Sequence, residues 1–431
     1  MFRGTLLLAS VVAALSAAGL NDKLAPAVNH PAIQYWAGTL TDPASVLNAK
    51  LQSGDVRLQF AGPQGYLRSL LAALNVPVES QIAVFSKTSL QASRIEPRNP
   101  RTIFFNDSVS VAWMYGGFIE LASQDPLKGV IFYTLTQAET PRPVLQRRSD
   151  CQRCHLADAS LGVPGMMVRS LFTAPDGAPQ LIFGGSLVDH RTPFKDRWGG
   201  YYVTGASGAV RHMGNAMVTN DGDPERMVTP ATLKLVSLEG KFDTGHYLSR
   251  YSDVGALMVF DHQMYMQNLI TRVGWEVRAA QYDHAVDIAV RSVDIAGLLR
   301  ETAVEFVDYL LFVDEAPLPH AIAGVSEFAV KFAAEGPRDR KGRTLRDLDL
   351  KRRLLRYPCS YMIYSEAFDA LPAEARDAIY QRLWHILSGG IQEKKYARLD
   401  LGTRRAIIEI LRDTKKDLPA YFRSTQVVMQ R

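Results

Sequence analysis

The hydrophobic pattern of this chain of 431 residues changes period near its middle. Between residues 101 and 212, short runs rich in Val, Ile, Phe and Tyr are separated by Gly and Pro turn signals, which is typical of antiparallel strands. From about residue 253 onward, apolar residues recur at helical spacing instead. A strand-rich part followed by a helix-rich part predicts an α+β fold, with a β-rich region over 19–230 and a helical region over 250–425. The two regions form either separate units or one integrated domain.

The individual elements follow from the same pattern. Predicted strands cover 101–112, 118–122, 130–135, 166–173, 180–187, 201–204 and 210–212. Predicted helices cover 44–51, 66–74, 253–282, 296–312, 345–355, 359–369, 373–388 and 403–413.

The first 18 residues have the parts of a secretory signal peptide. Arg3 supplies a positive charge, residues 6–15 are apolar, and Ala18 ends a run of small residues. The apolar stretch is shorter than the ~20 residues that span a bilayer. We therefore expect cleavage after Ala18 and a periplasmic or secreted protein without a later transmembrane span. The alternative is an uncleaved anchor.

The charge of the chain gives little sign of a nucleic-acid partner. The net charge is only +5, and an exported protein rarely meets DNA. The densest basic stretch, 338–356, is interpreted as a solvated helix face. A basic surface could still help an acidic protein partner to dock.

The chemistry of the chain is indicated by the residues Cys-Gln-Arg-Cys-His at 151–155. This spacing is the attachment signature of c-type haem, in which both thiols form thioethers with the porphyrin and the histidine binds the iron. The alternatives are chance or half of a zinc site, but the chain has only three cysteines and no second pair. We therefore predict one covalent haem c on Cys151 and Cys154, with His155 as the proximal ligand. The third cysteine, Cys359, is expected to be buried and without a role.

The position of the motif argues against a simple small cytochrome c fold. Such a domain is built mainly of helices around its motif, whereas here predicted strands precede and follow residues 151–155. The extra length of the chain also exceeds what a pure electron carrier needs.

The residue on the far side of the iron would separate an electron carrier from a haem enzyme, because a sixth protein ligand closes the iron to small molecules. We favour the loop with His212 and Met213, since its separation from the motif resembles that in small cytochromes c and Gly214 allows close approach. His262, otherwise a hydrogen-bonded core histidine, and His190, otherwise a surface loop residue, are alternatives. An open sixth position is the third possibility.

Other side chains are candidates for the surroundings of the haem. Met166 and Met167 follow the motif closely, which leaves little chain for an intervening element. Candidate wall residues are Trp113, Trp198, Tyr201 and Tyr202, and candidate propionate donors are Arg153, Arg191 and Arg211.

Four parts of the chain carry a resemblance: 101–113 (RTIFFNDSVSVAW), the motif at 151–155, 198–205 (WGGYYVTG) with 211–215 (RHMGN), and 356–364 (RYPCSYMIY). Together they resemble a group of bacterial exported single-haem proteins described only as containing a cytochrome c domain. The resemblance covers most of the mature chain and implies haem and electron transfer, but no substrate. Peroxidases with paired haems are less similar, because they carry two such motifs.

Three functions are compatible with these observations. The first is electron transfer with a redox partner protein or a small-molecule electron donor or acceptor. The second is a haem enzyme, peroxidase- or oxygenase-like, with an open or weakly held distal position. The third is a haem sensor without turnover. The sequence leaves enzymatic activity open, and it favours electron transfer because candidates for a sixth ligand are present.

Overall fold

A computed structural model describes residues 24–218, 227–286 and 294–423 of the chain. Seven strands form an antiparallel sheet in the order β6-β5-β4-β3-β2-β1-β9, and two more form a separate hairpin, β7-β8. The strands are β1 Ile82–Val84, β2 Arg101–Phe105, β3 Val109–Trp113, β4 Ile119–Asp125, β5 Gly129–Leu135, β6 Gln146–Arg147, β7 Val168–Leu171, β8 Gly185–Val188 and β9 Tyr201–Tyr202. Helices dominate the second half, so the expected α+β class is confirmed.

The helices differ greatly in length. They are α1 Pro43–Ser53, α2 Leu67–Ala73, α3 Gln152–His155, α4 Val254–Val286, α5 Ile295–Leu310, α6 Phe328–Ala334, α7 Glu366–Asp369, α8 Ala373–Leu387 and α9 Leu401–Thr414. The first begins at the N-cap Asp42 with proline at its first position, and Gly54 ends it in the left-handed region. The longest, α4, is buried along most of its 33 residues, which makes it the central helix of the fold. Within the described ranges, no helix combines the length and the apolar character needed to cross a membrane.

The sheet separates two apolar cores because successive side chains of a strand point to opposite faces. Ile103 and Phe105 pack with α4, where the Phe105 ring lies 4.9 Å from that of Phe260. Their neighbour Phe104 belongs to the other core, which also holds Trp113. Helix α4 is fixed to the sheet by polar contacts as well, since Gln263 donates to the Asn106 carbonyl and Gln267 to the Asp107 carbonyl. The strand-rich and helix-rich regions therefore both contribute to the core on the α4 side of the sheet.

Several predicted elements are confirmed, and the deviations have local causes. Residues 101–112 form two strands, because the Asn106 side chain accepts hydrogen bonds from the backbone of residues 108 and 109 and closes a turn. The predicted strand 210–212 is wrong, and β9 instead joins the edge of the main sheet beside β1. Residues 181–183 form a helical turn before β8.

The basic stretch 338–356 is not a helix, so the predicted helix 345–355 and its solvated face are wrong. Arg346 is buried there, forms an ion pair with Asp107 and lies over the rings of Phe332 and Tyr361. Its charge thus fixes a loop against the sheet. The predicted signal peptide, 1–18, lies outside the described residues.

Candidate functional site

The motif residues occupy one turn of helix that stands alone between β6 and the β7-β8 hairpin. Cys151 is the N-cap of α3, and its carbonyl accepts from the backbone amides of Cys154 and His155 at 3.2 and 3.1 Å. Residues three and four apart on a helix are neighbours on its surface, so this turn places Cys154 and His155 each next to Cys151. Both cysteines are free thiols, with Cys154 exposed and Cys151 half-buried.

The imidazole of His155 is held by the loop that follows the motif. Its Nδ1 lies 2.9 Å from the Gly165 carbonyl, and the Gly165 amide donates to the His155 carbonyl at 2.9 Å. The ring packs 4.8 Å from that of Phe132 on β5. Burial lowers the pKa of His155, so the neutral ring prevails at pH 7. Because a carbonyl can only accept, Nδ1 carries the proton and Nε2 keeps its lone pair.

A glycine and an asparagine position the carbonyl that orients His155. The Asn268 side chain on α4 accepts from the Met166 amide at 3.1 Å and donates to the Met166 carbonyl at 2.6 Å. At Gly165 a Cβ atom would overlap the Asn268 amide group, so any other residue would push the loop away from α4. The central helix therefore sets the direction of the His155 ring through the loop.

One face of the sheet lies against the motif. Ala122, Val130 and Phe132 form a small apolar cluster, and Cys151 and Met166 pack against it. Burial raises the pKa of the Cys151 thiol to about 11, with Asp150 and Glu120 adding to the effect. The thiol is therefore protonated at neutral pH.

The adjacent β7-β8 hairpin has an apolar outer side. It begins two residues after Met166, and its outward-facing Leu187 pairs with Arg169. The exposed apolar side chains near it are Leu181, Ile182, Phe183 and Leu187. The segment that follows the motif along the chain thus carries exposed apolar side chains, which is the kind of surface that a flat, mostly apolar cofactor needs.

The loop with His212 and Met213 packs behind this hairpin. The Met213 sulfur accepts a hydrogen bond from Ser170 on the buried side of β7 at 3.6 Å. The His212 ring lies 5.2 Å from that of Trp198, and burial lowers its pKa to about 4. The hydrogen-bond and ring partners of the His155 ring, Gly165 and Phe132, differ from these partners of Met213 and His212.

The alternative ligands His190 and His262 bind each other. Their Nδ1 atoms are 2.8 Å apart, and Nε2 of His262 lies 2.7 Å from the Ser360 hydroxyl. Both rings are buried and stack on Tyr309 and Phe312. His190 is therefore a core residue, and its interpretation as a surface loop residue is wrong. Burial lowers the pKa of both rings well below 6.5.

The remaining candidates are scattered. Trp113 and Tyr202 lie in the core on the opposite face of the sheet from the motif, while Tyr201 lies on the motif's face. Arg191 forms an ion pair with Asp189. Trp198 is buried and donates to Asp261, Arg153 and Arg211 are exposed, and Cys359 is buried with a pKa raised to about 12 by burial.

No protein family, curated protein or solved structure matches the chain. Sequence reasoning missed Gly165, Asn268 and Phe132, although Pro164-Gly165 shortly after the motif is a turn signal that could have indicated the first. Asn268 gives no such signal, since it lies within an ordinary apolar helix far along the chain.

Proposed function

We propose that this chain is an exported c-type haem protein that transfers single electrons in the periplasm. Cys151 and Cys154 would hold one haem c, and His155 would be its proximal ligand. The observation that carries the proposal is the contact between His155 Nδ1 and the Gly165 carbonyl. Metal-bound histidines typically donate their second ring N–H to a carbonyl, which fixes the tautomer and directs the other nitrogen to the metal.

In this function the protein orients the His155 imidazole and excludes water from it. When bound, a haem supplies a one-electron iron couple, while the ligands and the burial set its potential. Gly165 and Asn268 fix the plane of the imidazole, and Phe132 shields one side of it from water. A neutral, oriented imidazole is the form that binds iron.

The alternative function, a haem enzyme, is favoured by one observation. The candidate sixth ligands already have partners: Met213 with Ser170, His212 with the Gly214 amide, and His190 with His262. Met166 directly follows the carbonyl bound to Nδ1, so its backbone lies on that side of the ring and not on the Nε2 side. An open position would let peroxide or another small molecule reach the iron.

The visible spectrum of the purified protein tests both functions. The full-length chain is expressed in a host with a c-type haem attachment system, and the reduced protein is recorded with and without carbon monoxide. Retention of haem on a denaturing gel, together with export, supports the proposal, and an unchanged spectrum under carbon monoxide supports electron transfer. A large carbon monoxide shift favours the enzyme.

A cysteine series provides the control for attachment. The double variant Cys151→Ala, Cys154→Ala should lose the haem stain on a denaturing gel, while Cys359→Ala should retain it, because Cys359 is buried away from the motif. Protein that carries no covalent haem despite a functioning attachment system would contradict the proposal.

A further inference from the structure

A half-buried ion pair lies on the sheet face that carries the motif. Arg101 begins β2 and Glu120 lies on β4, and Arg101 Nη1 is 3.4 Å from Glu120 Oε2. Because β3 runs between their strands, the side chains meet above Ala112, which pairs with Glu120 in the register and presents only a methyl group. Each of the two charged side chains is only 16% exposed.

The ion pair leaves part of the guanidinium unused. Charge-assisted hydrogen bonds are usually about 2.7–2.9 Å long, so the contact of 3.4 Å is a loose one. Arg101 Nε is buried and has no hydrogen-bond partner in the described part of the chain. A buried cation is costly unless its hydrogen-bonding groups are satisfied, and the guanidinium fork matches a second carboxylate well.

The two charged ends of the ion pair lie at different distances from the motif. Glu120 lies on β4, two residues from Ala122 of the apolar cluster against which Cys151 packs. Arg101 lies two strands further along the sheet, and Val84 on β1 pairs with both Arg101 and Tyr201 of β9. The negative end therefore lies nearer the motif, and the positive end lies toward the β9 edge.

This direction matches the chemistry of the cofactor. In haem c the thioether bonds lie on one edge of the macrocycle and the two propionate carboxylates lie on the opposite edge. We propose that Arg101, restrained by Glu120, binds a propionate of the haem through its guanidinium group. The inference rests on the proposed function and adds a carboxylate-binding residue to it.

Matched variants of the full-length haem protein test the inference. Arg101→Gln removes a positive charge that favours the reduced iron, so the midpoint potential should fall. Glu120→Gln removes a negative charge, and the potential should rise. The control Arg250→Gln removes one arginine from an exposed ion pair with Glu239 and should leave the potential unchanged.

A vibrational readout separates binding from a general charge effect. The propionate bending mode in the resonance Raman spectrum should shift in Arg101→Gln. If that variant does not fold, Arg101→Lys keeps the charge and should retain most of the potential while shifting the same mode, because an ammonium lacks the fork.

The outcomes separate the binding of haem by the chain from the binding of a propionate by Arg101. A wild-type protein without covalent haem would contradict the proposed function. Attached haem with unchanged potentials in both variants would show that Arg101 and Glu120 are only a structural ion pair. Opposite shifts in potential without a change in the propionate mode would also overturn direct binding.

Discussion

His155 and His262 differ in whether a ring nitrogen is left without a hydrogen bond. His155 uses Nδ1 for the Gly165 carbonyl, and its Nε2 makes no hydrogen bond to any residue in the described ranges. His262 uses both nitrogens, one for His190 and one for Ser360. Both rings are buried enough to be neutral, so charge does not separate them. The free lone pair does: it leaves His155 Nε2 able to bind a metal, whereas both ring nitrogens of His262 are used.

The largest expected effects come from replacing each of the two histidines in turn. His155→Ala should remove the proximal ligand, so the attached haem should shift from low spin to high spin in the visible spectrum. His262→Phe should leave the haem spectrum unchanged but lower the free energy of unfolding by about 1–3 kcal/mol, since it leaves the His190 imidazole unsatisfied. Denaturant unfolding and absorption spectra measure the two effects.

Two results would contradict the assignment of His155 as the ligand and His262 as a structural residue. A low-spin spectrum that persists in His155→Ala would show that another residue holds that side of the iron. A high-spin shift in His262→Phe would make His262 a ligand. The substitution His246→Ala, at a partly exposed histidine stacked on Tyr115, controls for the loss of an imidazole elsewhere.

Gly165→Ala should weaken the orientation of His155. The added methyl group would overlap the Asn268 amide, and overpacking of this kind typically costs about 1–3 kcal/mol. We expect lower stability together with a changed midpoint potential, because the carbonyl that orients the ring would move. Gly390→Ala is the matched control, since a Cβ there meets only ordinary contacts at 3.4 Å or more. Equal effects in both variants would mean that Gly165 matters only as a flexible residue.

The buried pair of His190, from the segment after β8, and His262, on α4, predicts a dependence of stability on pH. Burial lowers the pKa of His190 and His262 well below the ordinary value of 6.5. Below that pH the unfolded chain takes up protons that the folded protein does not, so the free energy of unfolding falls as the pH falls. Each histidine contributes up to about 1.4 kcal/mol per pH unit to this decline.

Replacing both partners measures the contribution of the pair. The double variant His190→Leu, His262→Leu should lose stability less steeply between neutral pH and pH 5 than the wild type, because both groups that resist protonation are gone. Denaturant unfolding at several pH values measures the slope. An unchanged slope would show that other groups cause the acid sensitivity.

The sequence predicted local features of the fold better than the distant contacts of the site. The strands of the meander and the long helix α4 follow from residue periodicity, and the motif is itself local. The partners of His155 come from three separate places: Phe132 from β5, Gly165 from the loop, and Asn268 from α4. No periodicity indicates which asparagine of a buried helix will contact a loop.

The same limit explains the error at residues 345–355. Their leucine and arginine spacing fits a helix, but the Arg346 side chain pairs with Asp107 at the β2–β3 turn. Tertiary packing of one charged residue there outweighs helix propensity, which is a weak effect per residue.

The smallest expected change in stability concerns the predicted sixth ligand, and it decides between the two functions. Met213→Leu nearly conserves volume, so it should cost less than about 1.5 kcal/mol in stability. If Met213 leaves Ser170 to bind the iron, this variant should bind carbon monoxide that the wild type excludes. If Met213 stays against Ser170, wild type and variant should bind carbon monoxide alike, and the haem-enzyme alternative gains support. Ser170→Ala adds a second check: it frees the sulfur from its hydrogen bond, so carbon monoxide binding should weaken only if the methionine is a ligand.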